Sequence, residues 1–220
     1  MAQEANIVEK KQPILALGKK ERKLITDPLN DNNPITVQVL GICSALAVTS
    51  QVFPSLIMSI ALIFVCAFSS LIISLLRNSI PGSIRMIVQL MVIAGLVQIV
   101  EIVLGAFAYN AYEQLSVFIA LIITNCIVMG RLEAFAMANR PWQSFLDGIG
   151  NGLGYGFILV AMAVVRELFG KGQLMGMQVL PKDVYVANNL MVLPAASLFV
   201  IGVFIWIQRA WNTKLIEESN

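Results

Sequence analysis

Three cysteines, Cys43, Cys66 and Cys126, carry most of the chemistry open to this chain. A free cysteine usually behaves as a small buried apolar residue. Cys66, in the uniformly apolar run Leu62-Ile63-Phe64-Val65-Cys66-Ala67-Phe68, fits that role and is assigned to packing. Cys43 and Cys126 have other neighbours: Gly41 stands two residues before the first, and Thr124-Asn125 directly precede the second. Glycine allows close backbone approach, and the polar pair offers hydrogen-bond donors to sulfur. Such contacts help set the potential of iron–sulfur centres, so Cys43 and Cys126 are the candidate thiolate ligands. A cluster of that kind typically takes four Cys ligands. If the pair binds such a cluster, the other two ligands must come from a second chain, and this chain alone is expected to hold no iron.

Two further features compete for a functional role. Glu101 lies inside the apolar run Gln98-Ile99-Val100-Glu101-Ile102-Val103. An intramembrane carboxylate is costly and marks a candidate functional site. Glu101 either lines a cation pathway or reaches water at the nearer interface. The run Asp147-Gly148-Ile149-Gly150-Asn151-Gly152-Leu153-Gly154-Tyr155-Gly156 places glycine at every second position. Its four-residue spacings are those that let helix backbones approach closely. A phosphate-cradling loop is the weaker alternative, since no Lys follows it and no strand precedes it.

What is missing narrows the chemistry further. The chain has no histidine, which excludes His-ligated haem or zinc, Ser-His-Asp hydrolysis and His proton relays. No P-loop signature occurs, which argues against ATP hydrolysis.

The elements that must position these residues are membrane helices. Only 13% of the 220 residues are charged and 58% are hydrophobic, against about 25% and 45–50% in ordinary soluble domains. A bilayer core about 30 Å thick needs about 20 mostly apolar residues per helix. Residues Pro54–Leu76, Met86–Ala108, Leu115–Gly130, Gly148–Val165 and Leu190–Trp211 meet that need, with Pro34–Thr49 a shorter sixth span. The first apolar run begins past residue 30 without an A-x-A-like exit, so no cleavable signal peptide is expected. The division is a basic cytoplasmic tail over 1–23, one transmembrane domain over 24–211 and a C-terminal tail over 212–220.

With six spans and the N-terminus inside, Lys10, Lys11, Lys19, Lys20, Arg22, Lys23, Arg77, Arg85, Arg131, Arg140, Arg209 and Lys214 fall on the inner side. Arg166, Lys171 and Lys182 alone fall outside. That asymmetry orients both termini to the cytoplasm. Asn33 is an expected N-cap with Pro34 at the first helical position, and Arg131 to Asp147 reads as a long inner loop. Three spans per half force the second half to enter from the opposite face. Each half opens with a short or interrupted span bearing one cysteine, Cys43 or Cys126. Interrupted spans at matching positions of two inverted halves point to a midplane site. The fold class is therefore all-α: a polytopic membrane protein of six transmembrane helices in two inverted three-helix repeats.

Three long segments carry a family resemblance: TDPLNDNNPITVQVLGICSALAVTS from Thr26 to Ser50, LSVFIALIITNCIVMGRLEAFAMANRPW from Leu115 to Trp142, and SFLDGIGNGLGYGF from Ser144 to Phe157. From about Leu24 to Trp211 the chain resembles the membrane subunits shared by the Na+-translocating NADH:quinone reductases and the Rnf ferredoxin:NAD+ oxidoreductases. Ser44 after Cys43, where the Rnf branch tends to have proline, and the complete glycine spacing look like the D subunits of the quinone reductase branch. The tail before Leu24 looks longer than the family's usual start.

The resemblance implies a six-helix inverted repeat paired with a homologous E subunit of opposite topology. It also implies an intramembrane [2Fe–2S] cluster shared by the two chains, with Cys43 and Cys126 as this chain's ligands. Flavins and quinone would sit on other subunits among A, B, C and F, so this chain is an electron conduit coupled to Na+ export, without an active site of its own. The implied location is the bacterial inner membrane, with lipid and sister subunits as partners and no nucleic acid. A secondary transporter is the competing class, since inverted repeats with a polar midplane site describe those too. An inert scaffold is the third possibility.

Overall fold

The computed structural model describes residues 24–29, 32–107, 118, 120–174, 177–178, 191 and 193–211. The two tails, and the ends of the expected spans at Ala108, Leu115 and Leu190, lie outside the described residues. The elements are helices α1 (Ile42–Val48), α2 (Val52–Leu76), α3 (Arg85–Phe107), α4 (Cys126–Arg131), α5 (Pro141–Lys171) and α6 (Pro194–Trp211). A two-residue antiparallel ribbon, β1 (Gln173–Leu174) with β2 (Met177–Gln178), follows α5. The chain is an all-α polytopic membrane protein. Among the described residues three helices are long and apolar enough to cross a bilayer: Val52–Leu76, Gly82–Ala106 and Pro141–Lys171. The apolar helix Pro194–Ala210 is shorter.

α2 and α5 form the central pair, and the glycine run explains why. A side chain on Gly148 would strike the Cys66 carbonyl oxygen at 2.8 Å and the Ala67 Cα at 2.8 Å. One on Gly152 would meet the Ile63 Cα at 2.9 Å, and one on Gly156 the Ser59 Cβ at 3.0 Å. The partner numbers fall as the glycine numbers rise, so the helices run antiparallel at backbone contact. Gly150 and Gly154 face the other way, against Leu24, Ile25 and the Pro28 carbonyl. Alternate glycines thus open both sides of α5, one to α2 and one to the N-terminal segment. The run is helix interior, and its helical conformation excludes a phosphate loop.

The core around this pair draws on Leu62, Val65 and Ile73 of α2, Ile93 and Val97 of α3, Ile127 and Val128 of α4, Leu159 and Met162 of α5, and Val200 and Ile201 of α6. α3 and α6 lie at the edge, with Met91 71%, Phe199 80% and Trp206 71% exposed in the isolated chain. Apolar surface of that kind is what lipid or a neighbouring subunit covers.

Three expectations are corrected. The short or interrupted span expected over Pro34–Thr49 is α-helical only over Ile42–Val48, so Pro34 does not open a helix. Asn33 does cap a turn, accepting from the Ile35 and Thr36 amides at 3.0 and 3.4 Å. Val39 (φ 57) and Gly41 (φ 76) then turn left-handed before α1 begins. The expected loop from Arg131 to Asp147 is mostly helical: α4 runs into a π-helical turn over Leu132–Ala136, and α5 starts at Pro141. Proline suits that first helical position, having no amide N–H to leave unpaired. The third correction concerns the span expected to end at Val165: α5 continues to Lys171, with Arg166 buried in its last turns.

Candidate metal centre

Both candidate ligands stand in the first turn of a helix that follows a break in the chain. Gly41 is the N-cap of α1 in the left-handed region, and Cys43 is the second residue of that helix. A side chain at Gly41 would lie 2.6 Å from Ile127 Cδ1 and 3.1 Å from Tyr155 Cε2, so only glycine fits there. Val39 holds a positive φ that a β-branched residue disfavours, and such strain persists only where surrounding contacts impose it. On the other side, Asn125 caps α4 by accepting from the Ile127 amide at 3.0 Å, and Cys126 opens the helix.

The two helix starts meet. The Gly41 amide donates to Cys126 Sγ at 2.9 Å. The Asn125 side-chain amide donates to Ser44 Oγ at 3.1 Å rather than serving the sulfur next to it. Ser44 Oγ donates to the Gly41 carbonyl at 2.9 Å and lies 2.7 Å from the Tyr155 hydroxyl. Tyr155 is fully buried on α5, and the same helix takes the Asn33 side-chain amide on its Gly154 carbonyl at 3.1 Å. The glycine helix therefore backs the site, and the polar links tie the break before α1 to the break before α4. Cys43 and Cys126 remain exposed free thiols.

This donor set fits a soft metal centre: two accessible thiols, a backbone N–H aimed at one of them, and a glycine that admits the close approach. Among the described residues no group of three or more His, Cys, Asp and Glu side chains gathers that could hold a metal within this chain. Cys66 is fully buried against α5 and belongs to the core. Glu101 is half-buried on α3. The nearby groove of about 480 Å³ between α2 and α3 is lined by apolar residues such as Ile57, Phe64, Ile99 and Val103, without Glu101.

Ser44 and Tyr155 were not singled out as site residues by the sequence. A serine in an apolar helix and a tyrosine in a glycine run have no spacing signal; only the packing of α5 behind the two breaks joins them. The buried charges were equally hidden. Arg131 Nε donates to Asp147 Oδ2 at 2.9 Å, with Asn151 donating to Asp147 Oδ1 at 3.1 Å. Arg166 donates to Thr49 Oγ1 at 2.5 Å and to the Leu193 carbonyl at 3.1 Å. Glu167 accepts from the Val52 amide at 2.6 Å, satisfying one of the free donors at the start of α2. Together Arg166 and Glu167 fasten the α1–α2 turn to the end of α5.

Comparison with known proteins agrees with this architecture. Residues 22–205 match the family described as Rnf-Nqr subunit, membrane protein. The D subunit of the Na(+)-translocating NADH-quinone reductase of Shewanella halifaxensis is 53% identical over 209 residues, covering 93% of this chain and all of that protein. The corresponding D subunits of Shewanella sp. strain ANA-3 and Shewanella baltica strain OS155 are each 54% identical over 206 residues, covering 92% of this chain and 98% of theirs. The chain therefore belongs to the Rnf-Nqr family of membrane subunits, within its group of Na+-translocating NADH:quinone reductase D subunits.

Proposed function

We propose that this chain serves as a membrane subunit of a Na+-translocating NADH:quinone reductase complex in the bacterial inner membrane, and that Cys43 and Cys126 supply half of the ligands of an intramembrane [2Fe–2S] cluster. The observation that carries this reading is the bond from the Gly41 amide to Cys126 Sγ. It joins the starts of α1 and α4, whose cysteines lie 83 residues apart in sequence, Cys43 to Cys126; an inverted pair of interrupted spans would bring two such helix starts to one site. A cluster bound there would take up and release electrons within the membrane. This chain's own part is to hold two thiols at the helix breaks and to direct a backbone N–H at sulfur.

The remaining ligands come, in this reading, from the homologous E subunit. Flavins and quinone belong to other subunits among A, B, C and F, so the chain works in an enzyme complex without an active site of its own. Six spans in two inverted repeats, with both termini cytoplasmic, would carry the two cysteines toward the midplane from opposite faces. Glu101 is the candidate for the cation path coupled to electron flow.

Sharing of the cluster has a direct test. Iron would be measured in this chain purified alone and with the E subunit co-expressed. The expected outcome is about two irons in the pair, with visible absorbance, and none in the single chain. A single chain that binds two irons by itself would sink the shared site.

A further inference from the structure

Beneath the two cysteines lies a hydrogen-bond network whose direction follows from counting. A serine hydroxyl has one proton and two acceptor sites. Ser44 spends its proton on the Gly41 carbonyl and one acceptor site on the Asn125 amide. With those roles taken, the remaining bond, to Tyr155 at 2.7 Å, is completed with the tyrosine as donor. The order that satisfies all three contacts is Tyr155 O–H to Ser44, Ser44 O–H to the Gly41 carbonyl, and the Asn125 amide to Ser44. Every hydrogen-bonding position of Ser44 is used, in a site where Ser44 is 3% exposed and Tyr155 not at all. An unmet bond there would cost the full desolvation of the group.

The network converges on Gly41, whose N–H meets Cys126 Sγ. Ser44 holds Gly41 by its carbonyl, and the Tyr155 ring closes the space beside its Cα. Asn125, bonded to the same serine, is the residue directly before Cys126. The orientation of the N–H toward sulfur is thus set by three side chains that meet at Ser44 and act on the sulfur through Gly41. Hydrogen bonds to the sulfurs are among the controls on the potential of an iron–sulfur cluster, and partners behind the ligands tune a metal centre by orienting them.

We infer that Tyr155, Ser44 and Asn125 are positioning residues that set the reduction potential of the centre held by Cys43 and Cys126. This rests on the cluster reading above. A donor on sulfur stabilises the added electron, so loosening Gly41 makes the centre harder to reduce. Tyr155→Phe removes one bond and keeps the ring; Ser44→Ala removes all three.

The test is a redox titration of the assembled complex, following the reduced cluster by electron paramagnetic resonance, with iron counted in each sample. Tyr155→Phe is expected to keep its iron and to move the reduced-to-oxidised ratio about tenfold at fixed poise, a shift of about 59 mV to lower potential for one electron. Ser44→Ala is expected to shift further in the same direction, and Cys66→Ala not at all. Should Ser44→Ala lose the cluster altogether, Tyr155→Phe decides, because its packing is preserved. A Tyr155→Phe complex with full iron and the wild-type potential would overturn the inference, even if its thermal stability fell. Cys43→Ala in the same series separates the two levels: retained iron there removes the cluster from these cysteines, whereas lost iron with an unmoved Tyr155→Phe potential removes only the tuning role.

Discussion

Gly152→Leu is expected to prevent the chain from folding, while Gly202→Leu is expected to be tolerated. The first position has the Ile63 Cα only 2.9 Å from where a Cβ would stand. That atom is backbone and cannot rotate away, so α2 and α5 would have to separate along the contact made by Gly148, Gly152 and Gly156. Overpacking a core that can yield costs about 1–3 kcal/mol; a backbone obstacle in the central pair places this change at or above the upper end. At Gly202 of α6 no described residue lies within 4 Å of an added Cβ. Thermal unfolding in detergent, with the yield of monodisperse protein, checks the contrast. Equal stability of the two variants would contradict the close-approach role of the glycine run.

The second large effect concerns a charge. Arg131→Ala is expected to destabilise the chain by about 3–5 kcal/mol, the usual cost of leaving one member of a buried ion pair alone. The Asp147 side chain is 3% exposed and that of Arg131 18%. Without Arg131, the carboxylate keeps the Asn151 amide as a donor but loses its countercharge inside an apolar fold. Replacing both partners, Arg131→Met with Asp147→Leu, removes the stranded charge and should recover much of the loss. Thermal unfolding of the single and double variants decides. An Arg131→Ala protein within about 0.5 kcal/mol of wild type, as an unimportant surface substitution would be, would contradict the pairing.

These two cases show what sequence made visible and what it hid. α2 and α3 were legible because an uninterrupted apolar run of bilayer length has few other uses; the observed Val52–Leu76 and Arg85–Phe107 differ from the expected spans by one or two residues at their ends. The glycine spacing correctly indicated helix packing, since four-residue repeats lie on one helix face. The start of α5 was hidden for the opposite reason. Arg131, Arg140 and Asp147 look like loop residues until a partner is known, and the bond from Arg131 to Asp147 makes charge compatible with helix on both sides of a four-residue connection. The end of α5 was hidden in the same way: the expected span stopped at Val165, because hydropathy counts the charges of Arg166 and Glu167 without seeing Thr49 and the Val52 amide opposite them. At the candidate centre, the cysteines were singled out by their interrupted surroundings. Tyr155 and Ser44 were not, since their roles depend on α5 crossing behind two breaks far apart in the chain.

The central claim, that Cys43 and Cys126 hold metal and Cys66 does not, is tested most directly by iron per complex in co-expressed material carrying Cys43→Ala, Cys126→Ala or Cys66→Ala. The expected result is loss of about two irons in each of the first two variants and none in the third, as for a [2Fe–2S] centre with four cysteine ligands drawn from two chains. Unchanged iron in Cys43→Ala and Cys126→Ala, with the complex intact, would contradict it and leave these cysteines without a metal role.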